Sequence, residues 1–436
     1  MTDRPNGQLP DRPDGADTRA EDQKETVIEL EIERVAHGGH CVARHEGRVV
    51  FVRHTLPGER VRARLTDAEP DATFWRADAV EVLDASPDRV ASAWPAAGPD
   101  GVGGGELAHV ALPAQRAWKA AVLREQLQRL GHVERDVVVH AAPGDDERGG
   151  LAWRTRIDLV TDAEGRAGMR RHRSHDVLAL GSMPLAVEAI AELDLFSRRW
   201  PAGVHVEAVA PVGGDRPLVL VDGTPFDLGR RRPDTRPNAR SSVREVVEAA
   251  GSRWEYRVAA AGFWQVHRAA PATLVDAVLG GVGDVAGATV VDLYAGAGLF
   301  TAPLADAVGP QGSVVSVEGD ARAVRDARRN LHDRDQVTLH VGDVARTLTG
   351  GRGQEPAVAH ADVVVLDPPR AGAGRKVVDA LASLAPQRVV YVACDPAALG
   401  RDVALLGAAG YELVDVAGYD LFPMTHHVEA VAVFSR

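Results

Sequence analysis

From Thr289 to the C-terminus the sequence alternates strand-like and helix-like segments with a regularity that leaves few folds open. ATVVDLY, GSVVSVEGD, QVTLHVGD, ADVVVLDPPR and RVVYVAC are short runs rich in β-branched residues. AGAGLFTAPLADAVG, ARAVRDARRNLHDR, GRKVVDALASLAP and PAALGRDVALLGAAG separate or follow them with helical spacing, and YELVDVAGYDLF and EAVAVF close the chain. Parallel strands need such crossover helices, so the pattern predicts a doubly wound α/β domain, assigned to 259–436. Ligands of such sheets bind beyond the carboxyl ends of the strands, where every chemically loaded motif of this stretch falls.

The first of these motifs is DLYAGAG, Asp292 to Gly298, whose glycines let the backbone turn tightly against a ligand. Dinucleotide-binding turns share that feature, but Phe300 and Thr301 stand where a third glycine belongs. Glu318 ends the next strand, placed to accept hydrogen bonds from ribose hydroxyls, and Asp343 ends the third, suited to an adenine amino group or to capping the following helix. In LDPPR the two prolines fix the backbone, so Asp367 and its neighbouring carbonyls point one way over the reactive end of a cofactor. Cys394 stands at a strand-to-helix turn. The chain has two cysteines, too few for a disulfide framework or a four-cysteine metal site. A lone cysteine is more often a small buried hydrophobe, but Asp395-Pro396 opens a helix whose positive end lies close to the sulfur, which predicts a lowered thiol pKa and a nucleophile. Glu429 begins the last strand facing apolar residues, where a carboxylate's pKa rises as a general base requires; an ordinary edge carboxylate, or a pair with His427 that only stabilises the loop, are the structural alternatives.

Upstream the chain reads differently. Residues 1–25 are rich in Asp, Pro and Gly without periodicity, which predicts a disordered tail. Residues 26–86 form short alternating runs broken at Gly38-Gly39, His45-Glu46-Gly47 and Pro57-Gly58, the spacing of a small antiparallel, OB-like barrel. Arg48, Arg53, His54, Arg60, Arg62 and Arg64 give it a positive face for phosphates, and Cys41, with no His or Cys nearby, is structural. Residues 87–258 hold a Gly/Pro-rich loop, a helix in PAQRAWKAAVLREQLQRLGHV, a hairpin at Glu164-Gly165 flanked by Arg154, Arg156, Arg170, Arg171 and Arg173, and further short strands, read as a mixed α+β central domain. A net charge of −12 argues against binding polyanions over the whole surface, while the arginine clusters at 166–173 and 230–240 leave room for a local nucleic-acid site. No apolar run reaches the ~20 residues that span a bilayer and the N-terminus lacks an apolar signal core, so the expectation is a cytoplasmic protein without a membrane partner. Nothing demands more than a monomer.

DLYAGAGLF, VEGD, LDPPR, YVACDPAALGRD and FPMTHHVEAV, in that order, resemble the S-adenosylmethionine-dependent RNA uracil-5-methyltransferases. Residues 26–86 resemble a TRAM barrel, GGGELAHVALPAQRAWKAAVLREQL resembles the segment after the family's cysteine-rich loop, and GFWQVH resembles its F-x-Q-x-N strand. The resemblance implies a class I methyltransferase fold, cofactor contacts from Gln265, Tyr294, Glu318, Asp343 and Asp367, Cys394 as nucleophile and Glu429 as base. It also implies an RNA substrate, with ribosomal RNA favoured over transfer RNA. The sequence departs from the family at His267, at Leu299 and in ACDP, and Gly103 to Gly105 replace cysteines that hold an iron–sulfur cluster in many relatives, so no metal is expected. Competing readings are a transfer-RNA uridine-54 C5 methyltransferase, a nitrogen methyltransferase that uses the DPP turn without Cys394 or Glu429, and an RNA-binding protein with a degenerate cofactor pocket; an NAD oxidoreductase is more remote.

Overall fold

The computed structural model describes residues 26–350 and 355–436, and the expected disordered tail lies outside them. The chain divides between Arg89 and Val90 into two compact units.

The first unit is a closed barrel of β1 (Val27–Ala36), β2 (His40–His45), β3 (Arg48–Arg53), β4 (Arg60–Asp67) and β5 (Phe74–Asp84), in the order β1-β2-β3-β5-β4. Alternation along each strand sends Leu30, Ile32, Val50, Val52, Val61 and Leu65 inward, all buried. One pairing departs from the antiparallel expectation. β4 returns beside β1, so β5 reaches β3 in parallel and closes the cylinder. Cys41 is buried with its thiol donating to the Thr55 carbonyl (3.4 Å), a structural role.

The second unit begins with α1 (Leu112–Gly131) and β6 (Val139–Ala141). A seven-stranded antiparallel sheet follows, made of β7 (Arg156–Thr161), β8 (Ala167–Arg170), β9 (Val177–Ala179), β10 (His205–Val209), β11 (Leu218–Val221), β12 (Thr224–Asp227) and β13 (Arg232–Pro233), with the short α2 (Glu188–Ala191) between β9 and β10. β14 (Ser242–Ala249) and β15 (Ser252–Ala259) form a separate hairpin. Then come α3 (Ala270–Val282), β16 (Thr289–Leu293), α4 (Thr301–Val308), β17 (Ser313–Glu318), α5 (Ala321–Asn330), β18 (Val337–Val341), α6 (Val344–Thr349), β19 (Val363–Leu366), α7 (Gly374–Leu384), β20 (Arg388–Ala393), α8 (Pro396–Ala408), β21 (Glu412–Asp420) and β22 (Glu429–Ser435).

These last strands make an eight-stranded sheet in the order β18-β17-β16-β19-β20-β22-β21-β6, parallel from β18 to β20 with β22 antiparallel to its neighbours. The order reverses between β16 and β19, the switch point where doubly wound sheets open a ligand crevice. Val290, Val291, Val364, Val365, Val389 and Val390 are fully buried because helices cover both faces of the parallel strands. The segment expected as a central domain adds β6 to this sheet, pairing in parallel with β21, and packs α1 against α8 and these two strands. No helix among the described residues is long and apolar enough to cross a membrane.

Candidate active site

The carboxyl ends of β16 to β20 converge on one rim. After β16 the backbone turns through Tyr294 at φ +62, a left-handed conformation uncommon outside glycine, then Gly296 at +57 and Gly298 at +95. The Tyr294 N–H donates to the Val317 carbonyl (2.9 Å), which holds this turn against β17. Glu318, at the end of β17, accepts the N–H of Gly296 (2.9 Å) on one oxygen and that of Asp320 (2.6 Å) on the other, so its carboxylate is fixed at the turn. Burial, and after it the charges of Asp343, Asp402 and Glu318, push the Tyr294 hydroxyl up to about 12, which sets that hydroxyl among three carboxylates. Asp343 uses Oδ1 to cap α6 through the Arg346 N–H (3.0 Å), the alternative its position left open. Asp367 follows β19 with its N–H directed at the Leu293 carbonyl (3.3 Å), which brings the DPP turn beside the glycine turn.

Cys394 and Glu429 meet from adjacent strands. The β20–β22 ladder ends with Ala393 paired to Ala430, so Cys394, the first residue past β20, and Glu429, the first of β22, stand opposite one another at its end. Glu429 is 4% exposed and its Oε2 has no hydrogen-bond partner among the described residues. Burial raises its carboxyl well above the usual range, the charge of Asp367 adds to this and Arg370 opposes it. Burial likewise raises Asp367. The lowered thiol pKa expected from the helix terminus is not what the site produces. Burial pushes Cys394 up to about 12, the charges of Glu429 and Asp367 add to the rise, and Arg370 opposes them. The side chain of Asp395 caps α8 through the Ala398 N–H (2.7 Å), so ACDP performs the capping that asparagine performs equally well.

Gln265 comes from outside the sheet, buried on the loop between β15 and α3. That loop is held from β7, where Arg156 donates to the carbonyls of Ala260 (3.1 Å) and Gly262 (2.8 Å), and from Thr155, whose N–H and hydroxyl both reach the Val266 carbonyl. The two departures are built into the packing. His267 accepts the Ala269 N–H on Nδ1 (3.0 Å), which assigns the proton to Nε2 for donation to Asp145 (2.9 Å), and its ring stacks on Trp153. Leu299 is buried in the core, and its carbonyl accepts the Tyr256 hydroxyl (2.9 Å).

Four residues that sequence reasoning passed over belong here. Asp292 is fully buried, its carboxyl pushed up to about 7 by burial against the pull of the Thr301 hydroxyl (2.5 Å), with Oδ1 unpartnered among the described residues. Asp402, on the buried face of α8, accepts from the Tyr391 hydroxyl (2.6 Å) and the N–H groups of Ala373 (2.7 Å) and Gly374 (3.1 Å), which ties down the loop after LDPPR. A carboxylate on the apolar stripe of a helix was its signal. Arg370 supplies a positive charge that opposes the raised pKa of Glu429. Phe263, two residues before Gln265 in the same loop, is 77% exposed, an aromatic left in solvent.

A glycine-lined turn ringed by the carboxyl groups of Glu318, Asp343, Asp367 and buried Asp292 fits a cofactor that offers hydroxyls and positive charge.

Residues 228–436 match the family described as tRNA (uracil-5-)-methyltransferase, and residues 23–80 match the TRAM domain. The chain is 45% identical to an uncharacterized RNA methyltransferase of Streptomyces coelicolor, over 93% of this chain and 92% of that one. It is 30% identical to a 23S rRNA (uracil(1939)-C(5))-methyltransferase of Shewanella amazonensis, over 93% and 95%. Among solved structures, Pyrococcus abyssi tRNA (uracil-54, C5)-methyltransferase, in complex with S-adenosyl-L-homocysteine, superposes with a TM-score of 0.67 at 21% identity, covering 93% of this chain and 100% of that one. That likeness establishes the class I methyltransferase fold.

Proposed function

We propose, from the premise that this chain belongs to the RNA uracil-5-methyltransferases, that it methylates C5 of one uridine through a covalent bond between Cys394 and C6, with Glu429 as base. The observation that carries this reading is the placement of Cys394 opposite Glu429 at the end of the β20–β22 ladder, with Asp367 and Arg370 close enough to perturb both. S-adenosylmethionine supplies an electrophilic methyl group on a sulfonium. Tyr294, Glu318, Asp343 and Gln265 would hold its adenosine and amino-acid ends, and Asp367 its charged end.

C5 of uracil is a weak nucleophile. Addition of the Cys394 thiolate to C6 moves the C5–C6 π electrons toward O4 and makes C5 an enolate carbon that attacks the methyl group. Glu429 then removes the C5 proton, the double bond re-forms and Cys394 leaves. The thiol's raised pKa requires its proton to be taken as the sulfur adds; Asp367 in its ionised form, the second carboxyl beside Cys394, takes it and returns it when Cys394 leaves, so Glu429 stays ionised for the C5 proton, which it then gives to solvent. The exposed ring of Phe263 offers a stacking surface for a base turned out of its helix.

Ribosomal RNA is the substrate this reading favours. A TRAM-like barrel precedes the catalytic unit, and the Shewanella relative named for 23S rRNA aligns over almost the full length of both chains. The enzyme works in the cytoplasm as a monomer and without an iron–sulfur cluster; stoichiometric iron with a visible absorption band would overturn the last point. The deciding experiment is peptide mass spectrometry after incubation with S-adenosylmethionine and 5-fluorouridine-substituted RNA, since fluorine at C5 blocks release of the intermediate. An adduct on the Cys394 peptide is expected with ribosomal RNA. An adduct with transfer RNA alone corrects the substrate, and methyl transfer without any adduct returns the nitrogen-methyltransferase reading.

A further inference from the structure

Glu429 reaches the site on the segment that joins β21 to β22, and that segment is held from one face of α1. Gln115 and Lys119 are spaced i, i+4, so both point the same way, and both are 0% exposed. Gln115 accepts the Met424 N–H on Oε1 (2.8 Å) while its amide nitrogen donates to the carbonyls of Leu107 (3.2 Å) and Val110 (2.8 Å). The Leu107 N–H returns to the Met424 carbonyl (2.9 Å), so both backbone groups of Met424 are taken. Lys119 donates to Asp420 Oδ1 (2.5 Å) and to the Phe422 carbonyl (3.0 Å). The segment is therefore gripped at Asp420, Phe422 and Met424, and from Phe422 the Thr425 N–H and hydroxyl carry the constraint onward to the His427 N–H.

Two features mark this as more than loop packing. Met424 holds φ at +68, a conformation that costs a non-glycine residue free energy and persists only where its surroundings impose it. Lys119 is a fully buried cation, whose burial lowers its pKa against the charge of Asp420. An apolar residue would fill the same place without the desolvation cost.

We propose that Gln115 and Lys119 are positioning residues for the proton-abstraction step: by fixing Asp420, Phe422 and Met424 they set where the Glu429 carboxylate stands relative to C5. The proposal rests on the reading of Glu429 as the base. Cys394 and Asp367 arrive on β20 and β19, which the clamp does not touch, so the two halves of the reaction separate. Loosening the clamp leaves addition of Cys394 and methyl transfer intact and slows removal of the C5 proton.

The test uses the full chain with unmodified target RNA and S-adenosylmethionine. Lys119→Met combined with Asp420→Asn keeps the buried site free of unpaired charge, and Gln115→Met is the independent second variant. In both, a covalent RNA–protein species carrying the transferred methyl group accumulates on the Cys394 peptide, kcat falls roughly 10- to 100-fold, as a displacement on the order of 1 Å produces, and KM for RNA and cofactor stays within about twofold. Unchanged kcat, or a loss of kcat in which less adduct forms on 5-fluorouridine RNA, overturns the proposal. If Lys119→Met with Asp420→Asn does not fold, Gln115→Met decides by the same readout. Wild-type protein that forms no adduct with fluorinated RNA fails the covalent reading itself, an outcome distinct from either result on the variants.

Discussion

Glu429 and Cys394 are held in protonation states that the folded chain imposes. A buried carboxyl whose pKa is raised above its unfolded value contributes most to stability below the unfolded pKa of about 4.3, and loses that contribution as pH rises through the folded value. Glu429→Gln removes the ionisation and keeps the shape. Its thermal midpoint should exceed that of the wild type at pH 8, where the wild-type carboxyl is pressed to ionise in a buried place, while the difference closes at pH 4.5 and turnover is lost at both. Calorimetry across pH checks it, and a variant less stable at pH 8 refutes the buried-carboxyl argument. Cys394 gives the matching kinetic prediction. With its thiol at about 12, alkylation by iodoacetamide should still be rising at pH 10, and Arg370→Met should slow it further, because Arg370 is the charge that favours the thiolate. A plateau near pH 8.5 would contradict both statements. The motif residues themselves were readable because a Gly-rich turn, DPP and a lone Cys at a strand end are local signals; the sign of the thiol shift was not, because the burial that chiefly sets it, and after burial the charges of Glu429 and Asp367, come from distant segments.

Elements show a similar division. The parallel strands were legible from their unbroken β-branched runs and the helices between them, but β6 was not, since three residues carry no periodicity and its place depends on pairing with β21 far along the chain. The hairpin of β14 and β15 falls in a region read only as further short strands, and the structure attaches it to the methyltransferase helices, where Trp254 donates to Asp306 (2.7 Å) and the Ala259 N–H to Asp326 (2.8 Å). Asp402 is the sharpest case. It caps the start of α7 from α8 and closes on Tyr391, so one side chain couples two helices and a strand to the loop that carries Asp367 and Arg370. Asp402→Ala removes the acceptor of three donors, of which the Ala373 N–H alone keeps another in the Tyr391 hydroxyl (3.2 Å), and the expected loss is about 2–4 kcal/mol. Urea unfolding should show this, and titration calorimetry should show S-adenosylmethionine affinity falling more than it does for Asp379→Ala, a change on the exposed side of α7. Equal losses would mean that Asp402 supports the fold and not the site.

At the scale of the molecule the question is how a chain of net charge −12 holds a polyanion. The barrel does not present the even positive face that its arginines suggest. Arg53 is almost wholly enclosed in a two-bond pair with Asp78, Arg60 lies against Glu29 and Asp84, and Arg62 against Glu29 and Glu81. Phosphates would have to displace those carboxylates, so little charge is available for counterion release. Aromatic surface is the alternative grip. Trp75 carries the Arg48 guanidinium over its ring at 4.6 Å, with His45 beside it, while Phe51 and Phe74 pack edge to face nearby. Stacking on such rings contributes about 1–3 kcal/mol per base and depends weakly on salt. Two measurements follow. Trp75→Ala should weaken RNA binding by about 1 kcal/mol or more, and the slope of log affinity against log salt should correspond to roughly two to four phosphates, not the six that Arg48, Arg53, His54, Arg60, Arg62 and Arg64 would neutralise. The barrel has its own closed sheet and buried core, so a chain beginning at Val90 should keep a cooperative, cofactor-stabilised unfolding transition and lose RNA affinity at least about tenfold. If saturating RNA restores its single-turnover rate, the barrel recruits substrate and the Cys394–Glu429 site recognises the uridine alone; if the rate stays low, the barrel also shapes the RNA that the site receives.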